Sequence, residues 1–307
     1  MGIPMNWKLK CLAFKALHNM PAGRFLHALA QRYVTRRYFE TLSPGLMATC
    51  DFHIANLRRL PRGARVLEFG CGRNLLTPLL LSNAGAGTIY AYDIERIATV
   101  NQVNGMISQL RTSVPGEWPA LRSLADLWPL YRILYRAPAD ARDSGLPENS
   151  VDLFCSTSTL EHIPRADIRS ILQECLRIAN AGALFSFIID YHDHYGTADP
   201  KITRFNFYRY PDQEWRRYNP PNHFQNRLRH SDHELIYRDI GLHSVINSRR
   251  VLPSAEDDLA RLEICDAFRH YSRDDLLTTK GYFLLSRQPM SARTENGHIV
   301  SGGFVRQ

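Results

Sequence analysis

Apolar positions along the chain alternate between two periods. Near the N-terminus the spacing is helical: Trp7, Cys11 and Phe14 share one face of a helix predicted over Asn6–His18, with Lys8 and Lys15 on another. Pro21-Ala22-Gly23 ends it, a second helix is predicted over Phe25–Leu42, and a third over Leu46–Leu60 after Ser43-Pro44-Gly45. From residue 65 short apolar runs take over. Val66–Phe69, Thr88–Tyr92, Tyr131–Tyr135, Val151–Cys155 and Ala183–Ile189 predict five strands. Helical segments fall between them at Asn74–Leu81, Ile94–Leu110 and Ala166–Ile178, while 111–130, with its prolines, is expected to be irregular. A helix from Ser231 to Gly241, a strand over His243–Val251, a helix over Ala255–Phe268 and a strand over Gly281–Ser286 complete the pattern. Strands alternating with helices predict an α/β fold with a doubly wound parallel sheet. Residues 190–230 depart from that pattern; dense in aromatics, arginine, asparagine and histidine, they are expected to form an insertion after strand 5, over the active site. The predicted organisation is an N-terminal helical segment at 1–60, one core domain at 61–287 carrying the insertion, and a frayed tail at 288–307.

The stretch from Arg65 to Asp93 carries the first chemistry. Strand 1 contains one acid, Glu68, and runs into the turn Gly70-Cys71-Gly72; Asp93 ends strand 2, 21 residues beyond Gly72. Glycines permit a sharp turn and close ligand approach. A carboxylate at the end of strand 2 can hold both hydroxyls of a ribose. A dinucleotide fingerprint would place a third glycine at position 75, which is Leu75. The E-x-G-x-G form instead resembles motif I of the class I S-adenosylmethionine (SAM) methyltransferases. Downstream, Ser156–Pro164, with Leu160-Glu161-His162-Ile163-Pro164, resembles their motif IV and the segment after it. The alternative is a βαβ turn that binds nothing, for which Glu68 and Asp93 would have no use.

The resemblance covers about residues 60–190 and implies a seven-stranded Rossmann-like methyltransferase sheet with SAM as cofactor. It implies that Glu68 orients the amino-acid end of the cofactor, Asp93 binds the ribose, and Asp140, after strand 3, meets the adenine amino group. Gly70, Cys71, Gly72, Ile94, Ala141 and Ser156 complete the expected cofactor contacts. More loosely, Gln31-Arg32-Tyr33-Val34-Thr35, Asp193-His194-Tyr195 and Asn226-Arg227-Leu228-Arg229 resemble methyltransferases of surface-polysaccharide and glycoconjugate biosynthesis.

Charge alters the picture locally. The net charge is +8, but residues 1–40 carry seven Lys/Arg against one Glu, and 201–230 seven against two acids. Local basic zones suit an anionic partner such as a membrane surface or a phosphorylated substrate. The basic N-terminal helix is therefore a candidate peripheral contact with the inner membrane surface. Six cysteines without a CxxC pair fit a reduced, cytoplasmic chain without disulfides or a zinc site. Lys15 interrupts the N-terminal apolar stretch, so no cleaved signal peptide is expected.

Methyl transfer to a hydroxyl needs alignment and removal of a proton. His162 follows strand 4, and His192 and His194 follow strand 5; His194 or His162 is the expected base, oriented by Asp190 or Asp193. Glu161-His162 resembles the tail of an E-x-x-E-H metal motif of some methyltransferases, but Ser158 replaces its first acid. No metal is therefore assigned, and methyl transfer is expected to survive chelation; Asp190, His192 and His194 are the residues that would otherwise supply ligands. In the insertion, Arg227 and Arg229 are expected to clamp an anionic group, Trp215 to stack on a sugar or ring, and Asn222 and Asn226 to add polar contacts. The expected acceptor is a glycan, a glycolipid precursor or a small polar metabolite. An RNA methyltransferase is favoured by charge alone; Ser156-Thr157-Ser158-Thr159 stands where an Asn-Pro-Pro-Tyr signature would be, so nucleic acid is not the expected partner. A non-catalytic interaction protein would need none of Glu68, Gly70, Gly72 and Asp93.

Overall fold

The computed structural model describes residues 6–20 and 41–289. The predicted helix at Phe25–Leu42 (apart from 41–42), the segment Gln31–Thr35 and the tail from 290 onward lie outside the described residues.

Seven strands form one sheet: β1 Arg65–Phe69, β2 Thr88–Tyr92, β3 Ile133–Arg136, β4 Val151–Thr157, β5 Ala179–Asp190, β6 His243–Arg250 and β7 Lys280–Ser286. Their order is β3-β2-β1-β4-β5-β7-β6. The first five are parallel, as expected; β7 lies antiparallel between β5 and β6, so the sheet is mixed. The order reverses between β1 and β4, and ligands of such sheets bind at the strand C-termini beside that reversal.

The longer helices are α1 Trp7–Asn19, α2 Pro44–Leu57, α3 Leu76–Asn83, α4 Val100–Ser113, α5 Arg165–Ile178 and α6 His230–Asp239. Three of the boundaries that differ from the sequence expectation have clear local reasons. Asp93 accepts from the Glu95 N–H and Thr99 caps the next segment, so α4 starts at Val100 rather than Ile94. Residues 124–131 coil into helical turns that end on left-handed Arg132, which delays β3 to Ile133. The helix expected over 255–268 is split into Ala255–Ala260 and a 3-10 turn at Asp266–Phe268.

β1 is buried on both faces. Val66 packs with Leu79 and Ile107 on one side, and Leu67 with Ile168, Ile171 and Tyr237 on the other. Such a strand is ordinarily apolar throughout, each buried Leu or Ile contributing about 1.5–3 kcal/mol. Glu68, 2% exposed between them, breaks that rule and marks the site.

The insertion is not a loose loop. Tyr195, Phe207, Tyr208 and Trp215 form a third core with Phe268, and α1 docks onto that core through Trp7 and Cys11. Asn6 caps α1, the Trp7 N–H donates to Asp199 Oδ2 at 3.0 Å, and Phe14 stacks on His223 with centroids 4.5 Å apart. The face of α1 predicted from its spacing is thus the packed one, against the cap rather than the sheet.

Candidate active site

After β1, Gly70 and Gly72 take φ of +72° and +70°, the left-handed region that glycine tolerates without strain. A Cβ on Gly70 would lie 2.3 Å from Thr159 Oγ1, so this glycine lets the turn pass under the β4 exit. A Cβ on Gly72 would meet nothing within 4 Å, so its face of the turn is open. The Gly70 and Cys71 N–H groups both donate to the Tyr92 carbonyl, at 2.9 and 3.1 Å, which pins the turn to the end of β2. Leu75 is itself left-handed at the start of α3, so the place a dinucleotide fingerprint gives to glycine holds a buried leucine.

Two acids flank the turn. Asp93 accepts from the Gly72 N–H at 2.9 Å through Oδ2 and from the Glu95 N–H at 3.1 Å through Oδ1. Each oxygen keeps further acceptor capacity, so the carboxylate is aimed but not saturated. Its burial raises its pKa against these two backbone bonds. Burial pushes Glu68 up to about 8; a Thr77 hydrogen bond opposes the shift and the Asp93 charge adds to it. Glu68 Oε2 is buried with no hydrogen-bond partner. An orphaned carboxyl oxygen beside an open glycine turn fits a cofactor that carries an ammonium group, and Asp93 fits its ribose. Ile94, 63% exposed beside Asp93, offers an apolar surface suited to an adenine ring.

Three expected cofactor contacts are placed differently. The Ser156 hydroxyl is fully buried and donates to the Phe69 carbonyl at 3.1 Å, bracing β4 against β1 instead of facing a ligand. Cys71 is buried, its thiol pushed up by burial and the nearby acids. Asp140 lies close to Asp93, since Ala139 N–H donates to the Asp93 carbonyl at 2.8 Å with Ala141 packed behind. Its carboxylate, however, is gripped by Arg142, which holds it below the usual range and also pairs with Asp167 at 2.8 Å.

The exits of β4 and β5 gather the histidines. His192 Nδ1 lies 2.8 Å from Asp190 Oδ1, so the Asp190 carboxylate orients His192 and not His194. Burial works against the Asp190 charge, but the His192 hydrogen bond and the neighbouring histidines hold its pKa below the ordinary range. His192 Nε2 is buried without a partner, and the residue borders a cavity of about 190 Å³ lined by Thr197, Thr203, Arg204 and Asp258. Asp193 turns away: fully buried, it accepts from Tyr195 N–H at 2.8 Å and from Asn206 Nδ2 at 3.2 Å, capping the 3-10 turn His194–Thr197. It therefore does not orient His194. Burial pushes His194 down to about 4, with His162 contributing, and lowers His162 as well. The two rings lie 4.7 Å apart, and donor atoms of Glu161, His162 and His194 all fall within 4.8 Å of one another.

Residues 224–226 of the insertion tie these two exits together. Asn226 donates through Nδ2 to the Leu160 and Ile163 carbonyls at 2.7 and 2.8 Å, and its N–H donates to the Glu161 carbonyl at 2.8 Å. Phe224 O lies 2.8 Å from His162 Nδ1. Gln225 donates to the His192 carbonyl and accepts from His194 N–H, a link the sequence reading did not single out. Asn226 thus acts on the protein's own turn.

The expected anion clamp is not formed. Arg227, 6% exposed, donates to the Phe207 and Tyr210 carbonyls at 3.0 and 2.6 Å, pairs with Asp212, and lies over Trp215 and Phe268. Arg229 is fully buried: both terminal nitrogens reach the Tyr191 carbonyl at 3.3 Å and the guanidinium lies over Tyr191, Tyr208 and Phe207. Trp215 is buried in the same core, and Asn222 donates to the Phe14 carbonyl of α1 at 2.9 Å. These groups hold the cap together; the anion-binding pattern in the sequence is a set of internal cation–ring and carbonyl contacts.

Residues 67–187 match the family described as a methyltransferase domain. Among solved structures, the chain is similar to the YcgJ protein of Bacillus subtilis at 12% identity, covering 79% of this chain and 100% of that one, TM-score 0.43. It is similar to a TehB-like SAM-dependent methyltransferase from Corynebacterium glutamicum at 12% identity, covering 85% and 99%, TM-score 0.44. A SAM-dependent methyltransferase from Aquifex aeolicus shares 15% identity over 80% and 99%, TM-score 0.39. No curated protein matches.

Proposed function

We infer that this chain, a class I SAM-dependent methyltransferase by the domain it carries over residues 67–187, methylates a hydroxyl of a small polar acceptor such as a sugar unit or polyhydroxy metabolite. The observation that carries the reading is the Asp190–His192 pair at the end of β5, its free nitrogen beside a small polar cavity. When bound, the cofactor would supply an electrophilic methyl group on a sulfonium sulfur, with a neutral thioether as the leaving group. Glu68, the Gly70–Gly72 turn and Asp93 would hold it. His192 Nε2 accepts the hydroxyl proton, and Asp190 keeps the ring in the tautomer that leaves this nitrogen unprotonated and stabilises the imidazolium. Thr197, Thr203 and the Arg204–Asp258 ion pair, 3.3 Å apart, give the cavity donors and acceptors that suit a polyhydroxyl ligand. A screen of sugar, lipid-linked and aromatic acceptors tests the class: methylation confined to aromatic acceptors would overturn it.

Cofactor binding should depend on Asp93. Removing one charge-assisted hydrogen-bond group costs about 1.5–3 kcal/mol, so Asp93→Ala is expected to weaken SAM roughly 10- to 100-fold in calorimetry. Unchanged affinity in a folded variant would remove Asp93 from the site.

Contact with an anionic bilayer is supported by the outer face of α1. Leu9 and Leu12, both 60% exposed, sit one turn apart beside Lys8, opposite the docked Trp7 and Cys11, and Met20, 50% exposed, follows at the helix end. No helix among the described residues is long and apolar enough to cross a membrane. Sedimentation with phosphatidylglycerol vesicles but not phosphatidylcholine vesicles is expected, with the pelleted fraction at least halved by Leu9→Glu/Leu12→Glu; equal pelleting of both proteins would exclude this face.

A further inference from the structure

Glu161 is 2% exposed, and neither of its carboxyl oxygens has a hydrogen-bond partner. A buried carboxyl without partners costs several kcal/mol unless something satisfies it. Donor atoms of His162 and His194 converge on it, all within 4.8 Å of one another. We propose that Glu161, His162 and His194 bind one divalent first-row transition-metal ion beside the Asp190–His192 pair.

Three features support a built site. First, the contact between His162 Nδ1 and the Phe224 carbonyl at 2.8 Å fixes the tautomer with the proton on Nδ1, leaving the Nε2 lone pair for a ligand bond; metal-binding histidines are typically oriented through their other nitrogen in this way. Second, the backbone around the ligands is braced from outside. Asn226 holds both sides of the Glu161-His162 turn, and Gln225 links His192 to His194. Third, the donor atoms already lie within 4.8 Å of one another, and an ion with ligand bonds of about 2.0–2.2 Å holds tetrahedral or cis donors roughly 3.0–3.6 Å apart, so side-chain adjustments of about an ångström close the site.

Two imidazoles and one carboxylate suit Zn²⁺, Mn²⁺, Fe²⁺ or Co²⁺ better than Mg²⁺ or Ca²⁺. Ser158, which breaks the sequence motif, is not needed, because His194 arrives from the β5 exit as the third donor. Three protein donors leave coordination positions open, where an acceptor oxygen can bind and become more acidic. Only this last use rests on the acceptor reading above; the ion site itself does not.

Titration with Co²⁺ tests the site without any turnover, through visible d–d absorption and calorimetry on the full chain. One ion per chain is expected, with affinity at least 10-fold weaker in Glu161→Gln and in His194→Ala. His194 is the safer position, being only partly buried, and melting temperatures establish that both variants fold. Absence of d–d absorption in the wild type, or wild-type affinity in folded His194→Ala, overturns the site. If Co²⁺ binds as expected while SAM affinity proves indifferent to Asp93→Ala, the cofactor reading fails and the metal site stands. In activity assays, chelation should lower kcat/KM for the acceptor at least 10-fold and leave SAM affinity unchanged, contrary to the expectation drawn from Ser158.

Discussion

Alanine in place of His192 is expected to lower kcat by about two to four powers of ten while SAM affinity stays within about twofold. Asp190 contacts Nδ1 at 2.8 Å, so the imidazole is fixed with Nε2 as its one unpartnered nitrogen, in a residue that lines the cavity. Neither His162 nor His194 has a carboxylate placed on it in this way; His162 Nδ1 is taken up by the Phe224 carbonyl, and burial pushes His194 down to about 4. Asp190→Asn should lose a smaller factor, because the ring remains in place while its preferred tautomer and the stabilisation of its charge are lost. Added imidazole should partly rescue His192→Ala, since the deletion enlarges an existing cavity, and should not rescue Asp190→Asn. A folded His192→Ala enzyme with undiminished kcat would move the proton acceptor elsewhere.

The turn proposed to hold the cofactor was legible because it is local. A short apolar strand, two glycines that must turn left-handed, and an acid at the end of the next strand lie within 30 residues, and each constrains the backbone by itself. The acceptor side was not, because it depends on rotation. Asp190, His192 and Asp193 follow one another closely, and which acid meets which ring is decided by where extended chain gives way to the 3-10 turn at His194. Asp193 caps that turn, which directs it inward and leaves the outward pairing to Asp190. Gln225 was not singled out and Asn226 was read as a substrate contact, since the carbonyls they brace, those of His192, Leu160 and Ile163, lie more than 30 residues away in sequence. The arginines were misread for a different reason: a guanidinium surrounded in sequence by aromatics looks the same whether the rings flank a ligand or pack against the arginine itself.

That misreading leads to the largest expected loss of stability. Arg229→Ala should destabilise the protein by about 3–5 kcal/mol, combining the cavity left by a large buried side chain with a Tyr191 carbonyl that loses its donors. For a chain of this size, that corresponds to a fall of about 10 °C in Tm. Arg229→Met should recover more than half of the loss, because it refills the volume between Tyr191, Phe207 and Tyr208 and leaves only the carbonyl unsatisfied. An anion clamp predicts the reverse ordering of effects: near-normal melting, acceptor KM raised at least 10-fold, and no recovery with methionine. The location of Arg229 decides between them. Its neighbours Tyr191 and His230 border β7 at Gly281, where an added Cβ would come within 2.9 Å of both, so this is packed interior where the cap joins the sheet. Loss of Arg229 should therefore loosen the 224–226 brace as well, and residual folded Arg229→Ala enzyme should lose kcat through misplaced His192 and His194 before it loses SAM. Should the variant melt with the wild type and fail only in acceptor binding, the cap is a substrate site after all, and the buried position of Arg229 is a closed state that the acceptor opens.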